Sequence, residues 1–168
     1  MNEFTLQPFG KIDSDALEED YFSEIEITGK TISLDINFAK TNTNLQTLSI
    51  IKDFIEKIQH YNAQNLNFIQ EDFHNLDDLT VKDYVTFHTE DLGDEFLEKL
   101  GIDPAALDKE QQFLKQIYLK RVGIYPDGKY DTTYFAVFDY TVNPELTNEL
   151  LVVKTDPLGK IDHISIES

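Results

Sequence analysis

The chain has 168 residues, 40% of them hydrophobic and 12% aromatic, which is enough apolar material for one self-supporting core and too much for global disorder. It contains no cysteine, so disulfides, thiolate zinc sites and a cysteine nucleophile are excluded together. With 32 acidic against 14 basic residues the formal net charge is −18, a field that repels phosphate backbones and anionic lipid and speeds encounter with basic partners.

The N-terminal stretch MNEFTLQPFGKIDSD has no basic region followed by a continuous apolar run, and no later segment approaches the roughly 18 apolar residues of a membrane span. The expectation is a cytoplasmic protein that binds neither membrane nor nucleic acid. The charge is uneven. Residues 71–110 carry thirteen acids and three bases, and residues 1–35 carry nine and two, whereas QQFLKQIYLKRVGIY at 111–125 has no acid and holds Arg121, the single arginine of the chain.

The first element is a hairpin over SEIEITGKTISLDINF. With Gly29 and Lys30 as its turn, Ile25 and Ile27 fall opposite Leu34 and Ile32 on one face, while Glu24, Glu26, Ser33 and Asp35 share the other. This predicts a sheet packed on one side and wet on the other. Leu45, Leu48, Ile51, Ile55 and Ile58 recur at helical spacing behind the capping candidates Thr43 and Asn44, which predicts an amphipathic helix near 44–60. Leu66, Ile69 and Phe73 predict a shorter second helix. A third runs through Val81, Tyr84, Val85, His88, Leu92 and Phe96, capped by Asp78 or Thr80, broken near Gly93 and stopped by Gly101; a fourth starts at Pro104.

From residue 117 the pattern turns to β. IYLKRVGIY and YDTTYFAVFDYTV flank Pro126, Asp127, Gly128 and Lys129 and read as a hairpin with an Asp-Gly turn, and YFAVF, apolar on both faces, is a central strand. NELLVVKT and KIDHISIES form a second hairpin around Pro-Leu-Gly-Lys. The reading is a single α+β domain over residues 1–168, ordered ββ-ααα(α)-ββββ, with one antiparallel sheet of about five or six strands and the helices on one face.

The strings RVGIYPDGKYDTTYFAVFDY and LLVVKTDPLGKIDHISIES resemble an uncharacterised bacterial family of small acidic proteins with an RVGxYP element, a FAVFDY strand and a closing strand near SxES. The likeness covers about the last 50 residues and implies no activity. Small acidic α+β proteins of this type also occur among bacterial immunity and contact-dependent interaction modules, which is an analogy of type alone.

No motif assigns a catalytic residue. There is no G-x-S-x-G elbow, phosphate-binding loop or dinucleotide fingerprint. His60, His74 and His88 stand at equal gaps of fourteen among Asp72, Asp77, Asp78, Glu90 and Asp91, chemically suited to a divalent cation but without ligand spacing. No metal ligand set or cofactor follows. Asp77 and Asp78, Glu18 to Asp20, and Asp91 with Asp94 and Glu95 fail the calcium-loop pattern. Arg121 is expected across the hairpin from Tyr134, stacked on its ring and reaching Asp139 or Asp131. Tyr118, Tyr125, Tyr130, Tyr134 and Tyr140 crowd the same region.

Two functions follow. The first is a non-enzymatic, immunity-like interaction protein whose Asp77, Asp78, Asp91 and Glu95 steer a basic protein partner, with Arg121 and Tyr134 as further contact candidates. The second is a small hydrolase or divalent-metal enzyme in which at least two of the three helical-block histidines converge with a carboxylate.

Overall fold

The computed structural model describes residues 2–168. It opens on a small ribbon that the sequence reading does not contain, β1 (Glu3–Leu6) paired with β2 (Gly10–Asp13) around a cis Gln7–Pro8 peptide. Only two of its side chains, Leu6 and Ile12, are fully buried, too few to give a periodic signal.

The predicted hairpin is β3 (Asp20–Ile27) and β4 (Lys30–Asn37), but its turn is Thr28 and Gly29, at φ 49° and 78°. A two-residue turn of this hand needs positive φ at both central residues, and glycine is best used at the second. Placing it there sets Ile25 opposite Ile32 and Ser23 opposite Leu34. The register therefore moves by two positions, and because the side-chain period is also two, every residue keeps its predicted face.

The helical block follows. α1 (Leu45–Glu56) starts at Asn44, whose Oδ1 accepts the Thr47 amide at 2.7 Å, and buries Leu48, Ile51 and Phe54. α2 (Ile58–Asp72) is the longest helix rather than a short one. α3 (Thr80–Thr86) widens into one turn of π-helix, Phe87–Asp91, and α4 (Asp94–Lys99) begins after the expected break at Gly93. The last helix, α5 (Lys109–Gln116), starts five residues beyond Pro104.

β5 (Tyr118–Ile124), β6 (Ala136–Thr141), β7 (Leu150–Thr155) and β8 (Ile161–Glu167) complete a six-stranded sheet in the order β3-β4-β5-β6-β7-β8. The expectation of an all-antiparallel sheet is corrected here: β4 and β5 run parallel, with Ser33 beside Arg121 and Ile36 beside Ile124. The helical block is the crossover between them, and a crossover of that length returns the chain in the same direction.

The helices cover the face that carries Ile32, Leu34, Ile36, Val122, Ile124 and Phe138. Phe54 of α1 packs edge-on to Phe135 at 5.1 Å, and the buried Tyr140 hydroxyl donates to Asn62 Oδ1 of α2 at 2.9 Å. β6 is buried along its whole length, as its apolar pattern predicts. The opposite face carries Glu24, Asp35, Arg121, Asp139, Lys154 and Glu167.

The expected Asp-Gly hairpin turn is replaced by a loop from Tyr125 to Phe135 with a short 3-10 turn. Asp127 is drawn away from the meander: its two carboxylate oxygens accept the Ala39 and Lys40 amides at 2.8 and 2.9 Å, and Lys129 reaches Glu19 at 3.0 Å. The loop thereby ties the exit of β4 to the exit of β5.

The β7–β8 turn docks on α2 through Gly159. Its φ is 76°, a Cβ there would stand 2.3 Å from the Tyr61 ring, and its carbonyl accepts from Gln64 Nε2 at 2.8 Å. Gly159→Ala should lower stability by about 2 kcal/mol through combined backbone and packing strain. Chemical denaturation of the variant measures this, and an unchanged midpoint would show the turn to be loosely held.

Candidate partner-binding surfaces

Arg121 lies on the sheet face away from the helices. Its Nε and Nη2 donate to the two oxygens of Asp35 at 2.7 and 2.8 Å, its Nη1 donates to Asp139 at 3.0 Å, and Nη2 also meets the Tyr125 hydroxyl at 2.9 Å. Asp139, not Tyr134, is the residue opposite Arg121 in the ladder. The planar guanidinium fits because Gly123 leaves the space beneath it free: a Cβ at that position would sit 2.5 Å from Nη2. This fork geometry explains why the chain uses arginine once.

Burial works against the Arg121 charge, but hydrogen bonds from Asp35 and Tyr125 and the charges of Asp35 and Asp139 outweigh it and raise its pKa. Burial likewise raises the Asp139 pKa, with Arg121 opposing. Two carboxylates thus share one cation. Tyr125 was among the tyrosines expected near Arg121, but Asp35 was absent from the sequence candidates, and its only signal was its place on the wet face of the first hairpin. Arg121→Lys keeps a charge but not the bidentate fork, and should cost about 2–3 kcal/mol because Asp35 and Asp139 remain largely buried. A urea titration measures it, and no loss would mean that water replaces the fork.

Tyr134 sits on the same side, edge-on to Tyr125 at 6.0 Å and with the Lys154 ammonium 5.2 Å from its ring centre. Lys154 also pairs with Glu167 at 2.8 Å. Arg121 and Tyr134 therefore belong to one face of the sheet, and the four nominated acids of the helical block lie on the other side.

Within residues 71–110 each of the three lysines has an internal partner. Lys99 pairs with Glu95 and Lys109 with Glu90, each at 3.0 Å, and Lys82 lies 4.9 Å from the centre of the Phe73 ring. Among the described residues Asp77, Asp78, Asp83, Asp91, Asp94 and Glu98 are exposed and form no ion pair. Asp78 accepts both the amide and the hydroxyl of Thr80, and these bonds lower its pKa. Of the four nominated acids, Glu95 pairs with Lys99 within its own helix, Asp78 serves the start of α3, and Asp77 and Asp91 form no ion pair among the described residues. Leu76, Leu92 and Leu107 are exposed in the same block.

The histidines are not gathered. His60 lines an open groove of about 760 Å³ with Gln64, Phe68, Glu71, Leu158 and Lys160, and His74 is exposed. His88 is 0% exposed, stacked on Phe113 at 5.1 Å and 4.4 Å from the Tyr84 ring. Its Nδ1 lies 2.7 Å from the Tyr84 carbonyl, which only accepts, so Nδ1 carries the proton and Nε2 accepts from the Thr147 hydroxyl at 2.9 Å. Among the described residues no group of three or more histidine and carboxylate side chains is placed to hold a metal ion.

Burial lowers the His88 pKa, against the raising effects of the Tyr84 carbonyl and the Glu149 charge. The folded chain therefore prefers the neutral ring. Its contribution to stability is complete above about pH 6.5, the unfolded value, and is lost as the pH falls toward the depressed folded value, at no more than about 1.4 kcal/mol per pH unit. Denaturation midpoints between pH 7 and 5 should show this decline, and His88→Gln should flatten it; an equal slope in the variant would assign the decline to other groups.

No family model, curated protein or solved structure matches the chain. No helix among the described residues is long and apolar enough to cross a membrane.

Proposed function

We propose that this protein is a non-enzymatic interaction module that binds a basic protein partner in the cytoplasm, of the kind represented by bacterial immunity proteins. The reading is supported by one observation: residues 71–110 carry thirteen acids against three lysines, two of which pair with Glu95 and Glu90, so Asp77, Asp91 and their exposed neighbours keep an excess of negative charge. Such a surface attracts a cationic partner over about 8–10 Å at physiological salt and repels nucleic acid. The kinship with small acidic bacterial proteins drawn from RVGIYP and FAVFDY belongs to the same proposal. The engagement of His88 with Tyr84 and Thr147 gives the hydrolase alternative no comparable support.

The immobilised protein should retain one basic protein from native lysate at about 50 mM salt and release it as ionic strength rises. Reversal of the charge at both sites, Asp77→Lys with Asp91→Lys, should weaken capture at least tenfold while circular dichroism stays unchanged. Retention that ignores both salt and the reversal would remove the basis of the reading.

A further inference from the structure

The six-stranded sheet has two outer strands, and β3 is the longer of them at eight residues. The Thr28–Gly29 turn fixes which of its backbone groups are free. In a hairpin closed by two residues the pair flanking the turn is hydrogen-bonded, so Ile27, Ile25, Ser23 and Tyr21 bond to β4. The Phe38 amide donating to the Glu19 carbonyl at 2.9 Å continues the same phase. The amides and carbonyls of Asp20, Phe22, Glu24 and Glu26 therefore point outward. Among the described residues no other backbone segment pairs with them, and the Glu24 carbonyl meets only the neighbouring Ser23 hydroxyl at 3.5 Å.

The side chains of these four residues are all exposed, and Phe22 is 63% exposed. Asp20, Glu24 and Glu26 form no ion pair among the described residues. Phe22 stands opposite Asp35, so the edge is continuous with the Arg121 clasp. An added strand would find, two residues apart on one face, an aromatic ring, a carboxylate and a second carboxylate. A second copy of β3 in that place would oppose acid to acid, which disfavours self-pairing.

Resting on the basic-partner reading above, we infer that β3 is a docking edge for an extended segment of the partner, with basic residues opposite Glu26 and Glu24 and an apolar residue opposite Phe22. The backbone supplies affinity and the alternating side chains supply selectivity. An antiparallel segment would read basic-x-basic-x-apolar from its N-terminus.

The test uses a ten-residue synthetic peptide with Lys, Lys and Phe at those alternate positions, titrated into the isotopically labelled full chain at about 50 mM salt. Shifts and slowed amide exchange at Asp20, Phe22, Glu24 and Glu26 are the expected result. Glu24→Pro removes an outward amide, which an edge strand tolerates, and should weaken binding at least tenfold. The double variant Glu24→Gln with Glu26→Gln, which leaves the backbone intact, should reduce affinity and its salt dependence together. Peptide shifts confined to residues 77–98, or wild-type affinity in the variants, would overturn the edge assignment while leaving the basic-partner reading in place. A dimer of the free protein that Glu24→Pro dissociates would make a second copy the occupant and overturn it as well. No binding of the peptide anywhere at low salt would defeat both.

Discussion

The N-terminal hairpin and the C-terminal meander become one sheet only where β4 lies beside β5, and Arg121 closes that joint. Its guanidinium reaches Asp35 on one neighbouring strand and Asp139 on the other, so a single side chain spans three strands. The arrangement requires Gly123, since any side chain there would occupy the volume of the guanidinium. A four-residue sequence feature, Arg121 to Ile124, thus carries both the charge and the vacancy that the joint needs. Ion pairs of this burial are costly to break even where they add little net stability, which makes them better at fixing register than at deepening the energy well.

Folding also sorts the charge. On the open sheet face the two cations are consumed by Asp35, Asp139 and Glu167. Between residues 71 and 110, Lys99 pairs with Glu95 and Lys109 with Glu90, while Lys82 keeps its charge over the Phe73 ring. With 32 acids against 14 bases the overall balance is negative, and two separate surfaces, α3 to α4 and the β3 edge, carry part of this excess. Of the six residues nominated from the sequence, Arg121 and Tyr134 share the open sheet face, and the four acids belong to the helical block.

Helices and strands were legible where one face repeats, as in Leu48, Ile51 and Phe54 of α1 or the unbroken apolar run of β6. Local signals failed where a distant group decided the outcome. Asp127 and Gly128 have the form of a hairpin turn, but the Ala39 and Lys40 amides, more than eighty positions away, claim the carboxylate and open the loop. The parallel joint was equally hidden, because periodicity states which face a strand buries and not which strand lies beside it. Asp35 could therefore be placed on the wet face but not beside Arg121. His88 entered only the enzyme alternative, and its enclosure was not legible because Thr147 and Phe113 come from other parts of the chain.

The β4–β5 joint also sets the timing of assembly. Asp35 and Arg121 are 86 positions apart, and bringing the ends of a flexible segment of that length together costs about 4 kcal/mol of chain entropy before any pairing returns it. Each half of the sheet is built from antiparallel neighbours close in sequence, so both can form early, with β4 and β5 exposed as edges until the helical crossover is complete. The interval before that closure is when this chain is most open to pairing with the wrong strand, and the acidic self-repulsion that marks its native surface protects it then as well.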